Sequence, residues 1–183
     1  MRKETPVLNA AIPDKPVEEL STNTPPFQTY SATNHVELNW GQTLVAGGWK
    51  IPSGNRALVF ATLTPGDDQT QLAIHVKIVE VTEESLKTIW PEGLAADDHE
   101  STTGLLEGDQ YDSFIEALLK SGSSRIRDLQ MSTLINRQCQ LRMGNKEEEA
   151  GMIGLLPTVS ANGKTINLEI TSNLNYPTVS GTK

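Results

Sequence analysis

A few groups of residues in this 183-residue chain have the types, and some of the spacing, that chemistry needs. The run Asp97-Asp98-His99-Glu100 offers three carboxylates and an imidazole, all divalent-metal ligand types. Adjacent residues seldom converge on one ion without ligands from elsewhere, and His35 and His75 sit on predicted strands far away in sequence. The run therefore reads as a solvated loop. Glu147-Glu148-Glu149 reads the same way, with a weak cation site as the alternative. Gly41, Gly47 and Gly48 could floor a phosphate loop, but their spacing is not G-x-x-x-x-G-K-[ST], and no helix follows to aim its dipole at an anion. The Gly47-Gly48 pair is better read as a strand bend, where a missing Cβ admits another backbone. Cys139, the single cysteine, excludes an intrachain disulfide and a cysteine zinc site. Within "RQCQLRM" it reads as a small buried side chain rather than a reactive thiol. Glu80 alone among the acids lies in an apolar context, the setting acid–base chemistry uses; its expected place is a sheet edge or the start of a helix. No Gly-x-Ser-x-Gly elbow occurs, and no Ser or Cys pairs with a His beyond chance. The sequence names no catalytic residue, no cofactor-binding residue and no metal ligand, and an enzyme is not expected.

Composition narrows the partners. Fifteen basic against 23 acidic residues give a net charge of −8, which repels a phosphate backbone, and no basic cluster interleaved with aromatics offsets it. Nucleic acid is not an expected partner. No stretch approaches the ~20 apolar residues of a membrane helix, and "MRKETPVLNAAIPDKP" lacks the apolar core of a signal peptide. A soluble chain is expected, without a localisation fixed by these features.

The elements that must position these residues come in three parts. Residues 1–30 hold Pro6, Pro13, Pro16, Pro25 and Pro26 among polar residues, so they are expected to form an extended arm. Scattered apolar residues, Val7, Leu8, Phe27 and Tyr30 among them, suit that arm to docking on a neighbouring copy. Residues 31–66 form a Gly-Gln-Thr β-hairpin unit: "HVELNW", "QTLVAGGWKI" and "RALVFATL" read as a meander, the last two joined by the turn residues "PSGN". Residues 67–183 form an α+β core, expected to make one domain with 31–66. In it Leu72, Ile74, Val76 and Ile78 share a strand face that Glu80 is in phase to join. Thr82 is a plausible N-cap for a short helix with Leu86, Ile89 and Trp90. "EGLAADDHESTTGLLEG" reads as a polar loop. "DQYDSFIEALLKSG" is the clearest helix, with Tyr111, Phe114, Ile115, Leu118 and Leu119 on one stripe and Gly122 as its stop. After the connection "SGSSRIRD" come two β-stretches, "LQMSTLINRQCQLRMG" and "GLLPTVSANGKTINLEITSNL", the second turning at Asn162-Gly163. The fold class is α+β and sheet-dominated, a mixed or antiparallel sheet with one amphipathic helix packed on it.

Several stretches together resemble the core domain of secretins, the ring-forming outer-membrane proteins of bacterial secretion and pilus systems. That family opens its core with a strand like "IEAKIVEV" and a short acidic helix; here "LAIHVKIVEVTEESLK" is similar. A helix and a Ser-x-Pro-x-Val-x-Thr-x-x-Gly-Gln-x-Ala-x-Ile-x-Val-Gly stretch follow. They resemble "FIEALLKSGSSRIRDLQMSTLINRQCQLRMG", with Thr133, Leu141, Met143 and Gly144 kept, Leu129 in place of proline and Cys139 in place of alanine. The family's next strand pair is matched by Pro157, Val159, Gly163, Ile166, Leu168 and Ile170, and its Gly-Gln-Thr hairpin by Gly41, Gln42, Thr43, Gly47 and Gly48. The resemblance spans about residues 36 to 177. The hairpin comes first here although it closes the family's domain, so the chain looks permuted, or cut between tandem repeats. The gate hairpin is reduced to "NKEEEA", and no lip follows.

The resemblance implies a secretin-like, non-catalytic structural module, with itself as partner in a ring or filament, or other subunits of an envelope complex. It implies the cell envelope or periplasmic side as location. Its packing motif would be Gly41, Gln42, Thr43, Gly47, Gly48, Phe114, Leu118, Thr133, Gly144, Pro157 and Gly163. The alternative is a soluble binding domain that uses loops 92–108 and 145–150.

Overall fold

The computed structural model describes residues 27–66, 70–90, 102–121, 125–144 and 151–178. They form nine strands and two helices: β1 (Phe27–Asn39), β2 (Thr43–Lys50), β3 (Arg56–Pro65), β4 (Gln71–Val81), α1 (Glu83–Ile89), β5 (Thr102–Leu106), α2 (Gly108–Lys120), β6 (Arg125–Leu134), β7 (Cys139–Met143), β8 (Gly151–Val159) and β9 (Thr165–Pro177). The strands build two sheets in the orders β1-β9-β8-β7 and β5-β2-β3-β4-β6. Every pairing is antiparallel. The sheet-dominated reading holds at that level; of the mixed or antiparallel arrangement expected, the structure has the antiparallel one, divided between two sheets.

The pattern of side chains explains the split. In β3, Ala57, Val59, Ala61 and Leu63 face the other sheet, while Leu58 and Phe60 face the helices. In β4, Leu72, Ile74, Val76 and Ile78 face the other sheet, and Val79 and Val81 the helices. Strands apolar on both faces must be covered on both faces, so this sheet is the middle layer. In β9, Ile166, Leu168, Ile170, Leu174 and Tyr176 point inward and alternate with Asn167, Glu169, Thr171, Asn173 and Asn175. A strand apolar on one face belongs in an outer layer. The helices form the third layer, where Phe114, Ile115 and Leu118 meet Phe60 and Val79.

The same logic corrects the expected meander. β2 and β3 form the predicted hairpin, with Ile51 N–H donating to Asn55 O at 2.9 Å. β1 does not pair with β2; it runs along β9 for all thirteen residues. The turn between them holds Gly41 at φ +84°, and the chain passes there from one sheet to the other. "HVELN" alternates apolar and polar, so it fits the outer layer, whereas "TLVA" is buried throughout and fits the middle. Family order would put the Gly-Gln-Thr hairpin beside the strand 165–174. In the structure β1 lies beside that strand and β2 faces it across the core.

"LQMSTLINRQCQLRMG" is likewise two strands in different sheets. Asn136 at φ +62° breaks it, and its N–H donates to Pro157 O at 2.9 Å. Arg125 to Asp128, expected in a connection, begin β6. Phe27 to Tyr30, expected in the arm, begin β1, and the rest of the arm lies outside the described residues. α1 forms as expected, with Thr82 Oγ1 accepting from Ser85 N–H at 3.2 Å. On α2, Leu119 leaves the predicted stripe and is 59% exposed, because the helix meets the sheet over a narrower arc than the sequence offers.

Candidate functional site

Each residue of the expected packing motif has an identifiable mechanical task. Gln42, 9% exposed, ties three elements together: its Oε1 accepts from Asn39 N–H at 2.8 Å, and its Nε2 donates to Glu107 Oε1. Glu107 precedes α2 as its N-cap, and its own N–H donates to Gln110 Oε1 at 3.1 Å. The side chain of Gln42 thus joins the sheet-to-sheet turn to the start of the helix. Thr43 is fully buried and shares a hydrogen bond with Thr62 across the β2–β3 pair, Oγ1 to Oγ1, at 2.6 Å.

Gly47 and Gly48 form a β-bulge. Gly47 pairs with Leu58 and Trp49 with Ala57, so Gly48 is the extra residue. Leu44 faces the other sheet, and strict alternation would turn Trp49 toward the helices. The extra residue turns it instead into the inter-sheet core beside Tyr30, with ring centroids 6.4 Å apart. A Cβ on Gly47 would lie 2.7 Å from Ala57 O, so the reading of a close backbone approach holds. Gly48 O accepts from Arg56 Nη1 at 2.8 Å.

Phe114 and Leu118 are buried under α2, with Phe114 against Phe60 at 5.7 Å and Trp90 at 6.2 Å between ring centroids. Thr133 lies beside Cys139, whose thiol also meets Leu155 O at 3.6 Å. Burial raises the pKa of that thiol, with the Thr133 hydrogen bond opposing, so Cys139 is the inert buried side chain expected. Pro157 sits in an interior strand because its missing N–H falls on the side where β7 has already ended; its carbonyl there accepts from Asn136. Gly163 is the left-handed residue of the β8–β9 turn, at φ +69°, and its carbonyl accepts from Trp40 Nε1 at 2.9 Å. Gly144 ends β7 at φ +89°.

These residues do not converge on one spot. Gly41, Gln42 and Thr43 sit at the sheet-to-sheet turn, and Trp40 joins that turn to Gly163. Gly47 and Gly48 belong to the opposite end of β2, and Phe114 and Leu118 to the helix layer. The binding loops are corrected in part: Thr102–Leu106 is strand β5 along β2, and α2 begins at Gly108. The apolar Leu105-Leu106 pair, with Leu106 buried, outweighs the polar run before it. Residues 92–101, all of 145–150, "DDHE" and the Glu147–Glu149 run lie outside the described residues. Among those described, no three His, Cys, Asp or Glu side chains group as metal ligands, and no helix is long and apolar enough to cross a membrane.

Two features escaped the sequence reading. Glu80 is neither at an edge nor at a helix start. It is 8% exposed on β4 between β3 and β6, in register with Arg125 and with its Oε1 3.7 Å from Arg127 Nη2. The signal was present, since Glu80 is in phase with Ile78 and the two arginines stand two residues apart. Across the core stands Tyr176, whose hydroxyl is pushed well above the ordinary tyrosine pKa of 10.0 by burial and then by Glu80, against the pull of Arg127 and Arg125. The folded state therefore keeps this proton where an unfolded chain releases it. The resulting stability is fully present below about pH 10 and is lost as pH rises through the folded value. Melting temperature should fall from that pH upward, and less steeply in Tyr176→Phe; equal slopes would contradict this account of the site.

The second feature is the outer face of the β1-β9-β8-β7 sheet. Thr29 donates to Asn175 Oδ1 at 2.8 Å, Ser31 to Asn173 Oδ1 at 2.6 Å, and Thr165 to Glu37 Oε1 at 2.7 Å. His35 and Glu169, both exposed, are 3.9 Å apart beside a shallow depression of about 350 Å³. This polar ladder fixes how β1 is held on β9.

No protein-family model, curated protein or solved structure matches the chain.

Proposed function

We propose that the chain is a non-catalytic structural module that assembles with itself, or docks into a larger envelope or secretion-type complex, through its open sheet edges. The observation that carries this reading is the length of one edge: β1 runs thirteen residues and pairs on one side only among the described residues. A strand edge with unmet backbone donors and acceptors is a template for another strand. The motif residues support the same reading, since each holds a turn, a bulge or a layer contact. The secretin-like motifs add the expectation of a ring or filament, or of docking to other envelope subunits, and with it an envelope location.

Light scattering of the full chain tests this. The expected mass is a multiple of 20.0 kDa that grows with concentration. Because each copy carries a net charge of −8, added salt should favour association by screening the repulsion. A mass of 20.0 kDa at every concentration and ionic strength would contradict the proposal.

A further inference from the structure

Among the described residues each sheet has two edges, and three of the four carry protection against a foreign strand. β5 and β7 are five residues long. β6 is longer but bears Arg125, Arg127 and Asp128. Short length and charge are two ways in which proteins blunt an edge. β1 is long and carries a single acid, Glu37: it holds no proline, no lysine or arginine and no bulge, and it follows β9 from Phe27↔Pro177 to Asn39↔Thr165 without a register shift. In an antiparallel pair the backbone groups of alternate residues point away from the partner, so among the described residues β1 presents the outward row of its odd-numbered positions along roughly 40 Å.

We propose that a second copy of this chain occupies this edge, its β1 running antiparallel to the first about a two-fold axis at Thr33. Two four-stranded sheets then become one of eight. This rests on the assembly reading and goes beyond it by fixing the contact and its symmetry. A head-to-tail contact within this sheet would lay β1 against β7, a thirteen-residue strand against a five-residue one, and leave most of β1 unpaired. A two-fold contact uses the long edge twice and pairs its whole length. The axis at Thr33 is the one that matches all thirteen residues.

That register is chemically consistent. It sets Thr29 opposite Glu37 of the other copy, Ser31 opposite His35, Tyr30 opposite Val36, Ala32 opposite Asn34 and Gln28 opposite Leu38, so no like charges meet. Glu37 is the only acid on β1. The two copies of Glu37 would stand roughly 27 Å apart along the strands, well beyond the Debye length of about 8 Å at physiological salt.

Three forms of the full chain test the contact. The parent should reach twice 20.0 kDa or an even multiple of it. Thr33→Lys places two exposed ammonium groups opposite each other at the axis and should weaken association about tenfold, with a thermal melt matching the parent's at dilutions where both are monomeric. Thr33→Cys should form a disulfide-linked dimer under mild oxidation, because directly opposed Cβ atoms lie about 5 Å apart, near the span of a disulfide. The parent, whose Cys139 is buried, should not cross-link. Dissociation by Thr33→Lys together with cross-linking by Thr33→Cys supports the two-fold contact. An oligomer that Thr33→Lys leaves unchanged and Thr33→Cys does not cross-link overturns this contact and leaves the assembly reading standing. A parent that stays at 20.0 kDa throughout overturns both.

Discussion

Phe114→Ala should destabilise the fold by about 4 kcal/mol, while Leu119→Ala on the same helix should stay within about 0.5 kcal/mol of the parent. Phe114 is 4% exposed and meets Phe60 and Trp90 in the layer between α2 and the middle sheet. Its removal forfeits the transfer of a large apolar group and opens a cavity that Phe60, itself held in β3 between two strands, cannot collapse to fill. Leu119 points to solvent, and alanine is at least as good a helix former. Denaturant unfolding of the two variants is the measurement. Equal losses would mean that α2 packs on a different face from the one described.

Gly47→Ala should cost about 3 kcal/mol, well above the ~1 kcal/mol expected for Gly41→Ala. Both glycines have positive φ, +114° and +84°, so each substitution strains the backbone. Only at Gly47 would the new Cβ also meet a backbone oxygen, Ala57 O at 2.7 Å, and the Trp49 ring at 3.0 Å; at Gly41 nothing lies within 4 Å. The neighbouring strand cannot retreat without breaking the β2–β3 ladder, so the bulge must distort and Trp49 must leave its place beside Tyr30. A red-shifted tryptophan emission in Gly47→Ala, absent in Gly41→Ala, would report that movement. If the two variants lose equal stability, the bulge is not what sets Trp49 in the core.

These two sites mark what was legible in the sequence. The stripe of α2, the cap at Thr82, the turn at Asn162-Gly163 and the close approach at Gly47 all follow from local rules, and local rules can be read along a chain. Leu119 shows their limit: a stripe says which face is apolar, while the curvature of the sheet decides how much of it is covered. The division into two sheets was harder to see. It depends on whether both faces of a strand are apolar, as in β2 and β3, or only one, as in β9, and the Gly-Gln-Thr turn gives no local sign that the chain changes layer. The pairing of Glu80 with Arg127 was hidden for another reason. The arginines lie some 45 residues downstream, in a stretch whose serines and glycine read as a connection. For the residues singled out by the secretin-like resemblance, the sequence carries no contacts, and only the fold assigns each its neighbours.

Hydrogen exchange along β1 tests edge-mediated assembly most directly, because it reads the backbone groups the account depends on. Alternate amides of β1 donate to β9 and should be protected at any concentration. The other set points to the free edge. The account predicts that this second set gains protection as concentration rises and the mass exceeds 20.0 kDa, and loses it again on dilution. Exchange at the rate of an exposed edge at every concentration would contradict it.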